Sequence, residues 1–117
     1  MKNKTVFNGQ VRQGDVLIDR VSSLPAGVKE TRPVFALGEV TGHHHRYEGK
    51  HVTGFFKEGD LGEPIAGGTA LAQFAEIAGL PAPFVHEEHS PILRGPGVDK
   101  KTPQREYHPQ AIRNVID

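Results

Sequence analysis

No cysteine occurs anywhere in this 117-residue sequence. That excludes disulfide staples, thiolate nucleophiles and zinc sites of the finger type, all of which need sulfur. Net charge is missing as well, with 14 Lys and Arg against 14 Asp and Glu. Without a basic excess there is no electrostatic footprint for nucleic acid or for an anionic membrane surface. No apolar run approaches the roughly 20 residues that a membrane-spanning helix needs, and the opening MKNKTVFNGQ lacks the apolar core of a secretory leader. These absences leave a cytoplasmic location as the expectation, or a virion if the chain is phage-encoded. They give no reason to expect a nucleic-acid or membrane partner.

The length supports one core, so residues 1–117 are expected to form a single β domain. Fourteen glycines and nine prolines imply short elements separated by turns and leave little room for long helices. An apolar pulse at Val16, Leu17 and Ile18 behind the Gly14-Asp15 turn signal predicts a strand within Gln10 to Val21. Ser22 to Gly27 reads as a loop. Further strands are predicted around Val34 to Leu37 and over His51 to Lys57, with a glycine-rich loop from Glu58 to Thr69. Thr69 to Gly79 is compatible with helical or alternating spacing, and bounding glycines favour a strand. Pro81 and Pro83 forbid a helix running into HEEH, so Phe84 to His89 is expected to be extended. Gly95 to Pro103 reads as a turn or loop, and Pro109 to Ile116 as a short C-terminal helix or turn. The predicted fold is all-β, a small barrel or sandwich of the cupin or jelly-roll kind. Exposed sheet edges in so small a domain would gain from self-association, so a homo-oligomer or an assembly subunit is expected.

Seven histidines are present, and they are clustered. His43, His44 and His45 are adjacent, and His86 and His89 bracket Glu87 and Glu88. Imidazole is the commonest side-chain ligand for metals, with carboxylates as its usual companions around zinc, iron or manganese. On a strand, His43 and His45 share one face. The same parity pairs His86 with Glu88, and Glu87 with His89; burial does not decide between the two faces, and the adjoining Ser90-Pro91 turn signal favours His89 over His86. The expected ligands of a divalent ion (Zn, Fe or Mn) are therefore His43, His45, His86, Glu88 and His89, with Glu48 as a competing carboxylate if the triplet lies in a loop. In an enzyme, Glu87 or Glu88 would be ligand or general base. HEEH is not the HExxH of helical zinc proteases, since its histidines are three apart. His51 and His108 stand alone and read as ordinary polar residues. Arg46 could contact an anionic ligand. Arg105, Glu106 and Tyr107 could form a buried ion pair with a tyrosine hydroxyl at one end of the fold.

Gly38, His43, His45, Glu48 and Gly54 follow the order of the first cupin motif with shorter gaps. No proline-glycine-histidine second motif accompanies them, so the likeness bears on architecture alone. QGDVLI (Gln13 to Ile18), GEVTGHHH (Gly38 to His45), HEEHSPI (His86 to Ile92) and QREYHP (Gln104 to Pro109) together resemble a small uncharacterised family of bacterial and phage-encoded proteins. That family carries GEVTGHxH, HEEHxPI and QREYxP motifs. The resemblance implies that His43, His45, His86, Glu87, Glu88, His89, Arg105, Glu106 and Tyr107 belong to one pattern, and it brings no activity with it. Three functions follow as expectations: a metal-binding β-protein, a structural module in which the His/Glu cluster is a stabilising clip or hydrogen-bond network, or a binding module for a small anionic ligand near Arg46.

Overall fold

The computed structural model describes residues 5–37, 42–57, 64–65 and 69–102. Numbered along the chain, five strands make one sheet in the order β1 (Val6–Phe7), β12 (His89–Arg94), β11 (Ala82–His86), β6 (His44–Tyr47), β5 (Val34–Leu37). Six make the other, in the order β2 (Val11–Gln13), β3 (Val16–Val21), β13 (Gly97–Thr102), β10 (Phe74–Ile77), β7 (Val52–Lys57), β4 (Val28–Thr31). A separate ribbon pairs β8 (Pro64–Ile65) with β9 (Thr69–Ala70). Among the described residues all pairings are antiparallel except β1 with β12. No helix occurs among the described residues. The fold is therefore all-β, as expected. It is a sandwich-like pair of sheets, and the sheets do not close into a barrel. The expected C-terminal helix over Pro109 to Ile116, His108, and Arg105, Glu106 and Tyr107 lie outside the described residues.

Alternation explains the core. Val16 and Ile18 on β3, Phe35 on β5, Tyr47 on β6, Ala75 and Ile77 on β10, and Ala82 and Phe84 on β11 are all buried. Phe35, Tyr47 and Phe84 pack edge-on or tilted, with centroids 4.8–5.7 Å apart, the geometry aromatic quadrupoles favour. The chain passes from one sheet to the other at Arg32 and Pro33. Their backbone approaches Gly54 on β7 so closely that a Cβ there would lie 2.4 Å from the Arg32 carbonyl oxygen. Glycine at position 54 is thus a packing requirement between layers.

Three expectations need correction. The predicted strand within Gln10 to Val21 is a hairpin, because Gly14 takes φ +61° and reverses the chain in two residues, placing Gln13 opposite Val16. Gly95 to Pro103 is not a loop: residues 97–102 form β13, an inner strand of the larger sheet. Its run of Asp99, Lys100 and Lys101 conceals a strand whose inward Asp99 is buried by ion pairing. Phe84 to His89 is not one extended segment either. Glu87 and Glu88 are a two-residue turn between β11 and β12, so His86 and His89 face each other as paired residues. The Thr69 to Gly79 segment is extended and not helical, but it is two strands, β9 and β10, in different sheets and separated by residues 71–73.

Polar ties join the two sheets. Asp99 on β13 receives Arg94 of β12 through Nε at 2.9 Å and Nη2 at 2.7 Å. It also receives the Tyr47 hydroxyl at 2.8 Å and Arg20 Nε of β3 at 2.9 Å. Arg94 and Asp99 are both fully buried. Arg94 Nη1 donates further to the carbonyls of Phe7 and Gly9 at 3.0 and 2.7 Å, anchoring the N-terminal strand. Burial next to the Asp99 carboxylate pushes the Tyr47 phenol well above its ordinary value. A buried carboxylate held by arginine and a tyrosine hydroxyl, the chemistry expected of the tail, is here built from Tyr47, Arg94 and Asp99.

Candidate metal centre

The β11–β12 turn dissolves the question of parity in HEEH. Because His86 and His89 are cross-strand partners, both imidazoles reach the same region, and His45 of the neighbouring β6 joins them. Ring centroids are 4.2 Å apart for His45 and His86, 4.8 Å for His86 and His89, and 5.7 Å for His45 and His89. One nitrogen from each of the three lies within 4.8 Å of the others. A second trio under the same limit is His43, His86 and Glu87. Glu88, expected as a ligand, belongs to neither trio; its Oε2 lies 3.4 Å from His43 Nδ1. Tetrahedral Zn–N bonds of about 2.0–2.1 Å separate donor atoms by about 3.4 Å. An ion would therefore draw either trio together only modestly.

Burial grades the cluster. His45 is only 4 % exposed, its ring near-parallel to Phe84, while His43 and His86 are half-buried and His89, Glu87 and Glu88 are exposed. The buried ring is also the one whose hydrogen is assigned by its surroundings. Gln13, itself 2 % exposed, donates its two amide hydrogens to the carbonyls of Phe84 (2.9 Å) and Ser90 (3.0 Å). Its remaining polar atom, Oε1, faces His45 Nδ1 at 2.9 Å. An amide oxygen accepts only, so Nδ1 must carry the hydrogen and donate. The His45 Nε2 lone pair is left free, the tautomer a metal ligand needs, with Gln13 as the outer partner that fixes the ring. Gln13 lies in the QGDVLI motif, but nothing in its residue type announced that role.

The remaining residues are accounted for. Glu87 accepts the His44 backbone N–H at 3.0 Å and Arg46 Nη1 at 2.9 Å. Those bonds, the backbone donor first, hold its carboxyl down to about 2. Arg46 is thus committed to Glu87, to Glu48 at 3.3 Å and to the His44 carbonyl. That leaves no free guanidinium for an anionic ligand. His44 points away, its Nδ1 donating to the Gly42 carbonyl at 3.1 Å. His51 donates to the Pro81 carbonyl, an ordinary polar role as expected.

A family model described as a domain of unknown function, DUF8820, matches residues 12–100. The chain belongs to the DUF8820 family. No curated protein and no solved structure matches it. The DUF8820 span takes in Gln13, both histidine segments and the Arg94–Asp99 pair, and it ends before QREYHP. An uncharacterised family was the expectation, and that holds.

Gly14 closes the cluster from the opposite sheet. A Cβ on it would lie 2.8 Å from His89 Nε2 and 3.4 Å from His45 Cε1, and its φ of +61° already disfavours any side chain. Gly14→Ala should cost about 1 kcal/mol of stability from backbone strain. It should also push the exposed His89 ring aside, and if the cluster holds an ion, lower affinity for it about 10-fold or more. Calorimetric titration beside thermal unfolding checks both, and unchanged affinity would remove Gly14 from the site.

Burial, and then the fields of His86 and His89, push the His45 imidazole from 6.5 down to about 4. Asp15 and Glu87 oppose this only in part. Between those two values the unfolded chain binds a proton that the folded chain refuses. Stability is therefore complete above about 6.5 and falls with decreasing pH until about 4. A shift of this size corresponds to about 1–3 kcal/mol after allowance for solvent screening. Urea unfolding of chelator-treated DUF8820 protein and its His45→Ala variant checks it: the slope between pH 4 and 6.5 should be shallower in the variant.

Proposed function

We propose that this DUF8820 protein binds one divalent first-row transition ion through His45, His86 and His89, with Glu88 or water completing the coordination. The observation that carries this reading is the Gln13 bond to His45 Nδ1. A buried amide with both donors already used holds a buried imidazole that keeps one nitrogen free, in a trio whose ligand atoms lie within 4.8 Å of one another. Imidazole-only donor sets favour zinc, iron, copper or nickel over magnesium and calcium, which prefer oxygen. Zinc, iron and manganese, the ions expected from the sequence, differ in this respect: nitrogen donors favour the first two. Exposure of His89 and of the glutamate turn leaves an ion open to solvent on one side. That is the arrangement water activation requires, with Glu88 as the nearby carboxylate not engaged by Arg46. In an assembly subunit the same ion would be a clip closed by protein groups.

Elemental analysis of untagged protein, purified without a nickel column, tests the proposal. One zinc or iron per chain is expected, with metal affinity markedly weakened in His45→Ala and His89→Ala. Saturation at about 100 times the dissociation constant should add about 2.7 kcal/mol of stability. Absence of stoichiometric metal, together with no thermal response to added Zn²⁺ or Fe²⁺, defeats the reading. Rapid stripping by a mild chelator points to the open site, and resistance to it to the closed clip.

A further inference from the structure

His86 belongs to both trios, His45–His86–His89 and His43–His86–Glu87. The first contains the buried ring of the cluster, and the second combines two half-buried imidazoles with an exposed carboxylate. The outer trio has marks of its own. His43 Nδ1 has lost its solvent and makes no hydrogen bond, although the exposed Glu88 Oε2 stands 3.4 Å from it. Its ring meets His86 edge-on at 5.8 Å. Glu87 is held in place by the His44 N–H and Arg46, each of which leaves its oxygen further lone pairs.

Simultaneous occupation is opposed. A neutral imidazole has one lone pair, so His86 can serve one ion at a time. The Glu88 N–H donates to its Nδ1 at 3.0 Å, a bond that an ion on that nitrogen would replace, and two dications at so short a distance repel. We infer that the His43, His86 and Glu87 trio is a second station for the same divalent cation, occupied in alternation with the inner trio and serving as its route of entry and release. This rests on the metal-binding reading of the inner histidines. Solvent-facing Glu87 gathers the cation, His43 supplies a nitrogen that makes no hydrogen bond, and His86 remains a shared ligand while the ion passes to His45 and His89. Exchange through a shared ligand avoids stripping the ion to bare solvent at any point.

Cobalt(II), whose visible absorption reports imidazole coordination, tests this on the full chain. Titration should give one equivalent in the wild type. Glu87→Gln and His43→Ala should slow stopped-flow uptake and chelator-driven release together, by about 10-fold or more, leaving equilibrium affinity nearly unchanged. Glu48→Gln removes a neighbouring carboxylate that belongs to neither trio and should leave the rates close to wild type, separating ligand exchange from simple attraction. His45→Ala should keep one weaker equivalent, which His43→Ala added to it removes. Unchanged rates in His43→Ala, two equivalents in the wild type, or residual binding in His45→Ala indifferent to His43 would each overturn the second station. Failure of the wild type to bind cobalt at all would instead overturn the inner site.

Discussion

Asp99→Asn should lower the stability of this protein by about 3–5 kcal/mol, the cost of leaving a buried charge without its partner. The substituted side chain is nearly isosteric, so the effect isolates charge and hydrogen bonding from volume. In the native fold both carboxylate oxygens are used: Oδ1 by Arg20 and Arg94, Oδ2 by Arg94 and Tyr47. An asparagine would turn an N–H₂ group toward at least one arginine donor, and the fully buried Arg94 would keep its charge with no anion beside it. Against a total of about 5–15 kcal/mol for a small domain, that loss leaves little in reserve. At about 4–8 °C per kcal/mol for a chain of this size, the melting temperature should drop by roughly 15 °C or more. Far-UV circular dichroism during urea and thermal unfolding reads this directly. A change under about 1 kcal/mol would mean that solvent reaches Arg94 and screens it as on a surface.

The partners grade the expectation. Tyr47→Phe removes one hydroxyl donor to a carboxylate and should cost about 1.5–3 kcal/mol, less than loss of the anion. Arg20 is partly exposed, so solvent compensates much of its loss. The ties are non-redundant because each joins a different place in the sandwich. Arg94 binds β12 to β13 and holds the Phe7 and Gly9 carbonyls. Lys101 Nζ of β13 reaches the Phe35 carbonyl of β5 at 2.5 Å. Gln13 of β2 holds carbonyls of the β11–β12 hairpin. With no disulfide possible, directional polar bonds across the layers fix how the two sheets face each other, which apolar packing alone leaves loosely specified.

The elements legible in the sequence were those governed by local pattern: the apolar pulses at Val16 to Ile18 and Val34 to Leu37, and the β-branched and aromatic run ending at Lys57. The histidine segments were legible for a different reason, since few side chains are so chemically specific. What escaped reading depends on partners far along the chain. Glu87-Glu88 has no glycine, asparagine or proline to mark a turn, and neither glutamate takes a positive φ. The turn is held instead by the His44 N–H and the Arg46 guanidinium, 43 and 41 residues away. β13 escaped because its buried aspartate looks like a loop residue until Arg94 and Arg20 are placed beside it. The parity argument failed for the same cause: alternation along one strand does not apply where the chain reverses, and the reversal brought both histidines of HEEH to one place.

Gln13→Leu should weaken divalent-metal affinity by about 10- to 100-fold, the usual effect of removing the partner that orients a metal-bound histidine. It should also cost about 2–4 kcal/mol of folding stability, because buried polar groups lose their partners. The Phe84 and Ser90 carbonyls are left without a donor and His45 Nδ1 without an acceptor. The two effects separate by spectroscopy. Nitrogen-detected NMR of the wild-type imidazoles should show His45 with its hydrogen on Nδ1, and in Gln13→Leu a mixture in which Nε2–H appears. Metal affinity should fall as the Nδ1–H form and the fixed ring orientation are both lost, whereas a merely structural role would lower stability and leave the tautomer alone. Gln13→Glu sharpens the distinction. Its carboxylate could still accept from His45, but it offers no hydrogen to either carbonyl, so it should fold less well than Gln13→Leu while keeping the His45 hydrogen on Nδ1. Wild-type His45 carrying its hydrogen on Nε2 would reverse the role assigned to Gln13, because the nitrogen not bonded to Gln13 would then have no lone pair to give.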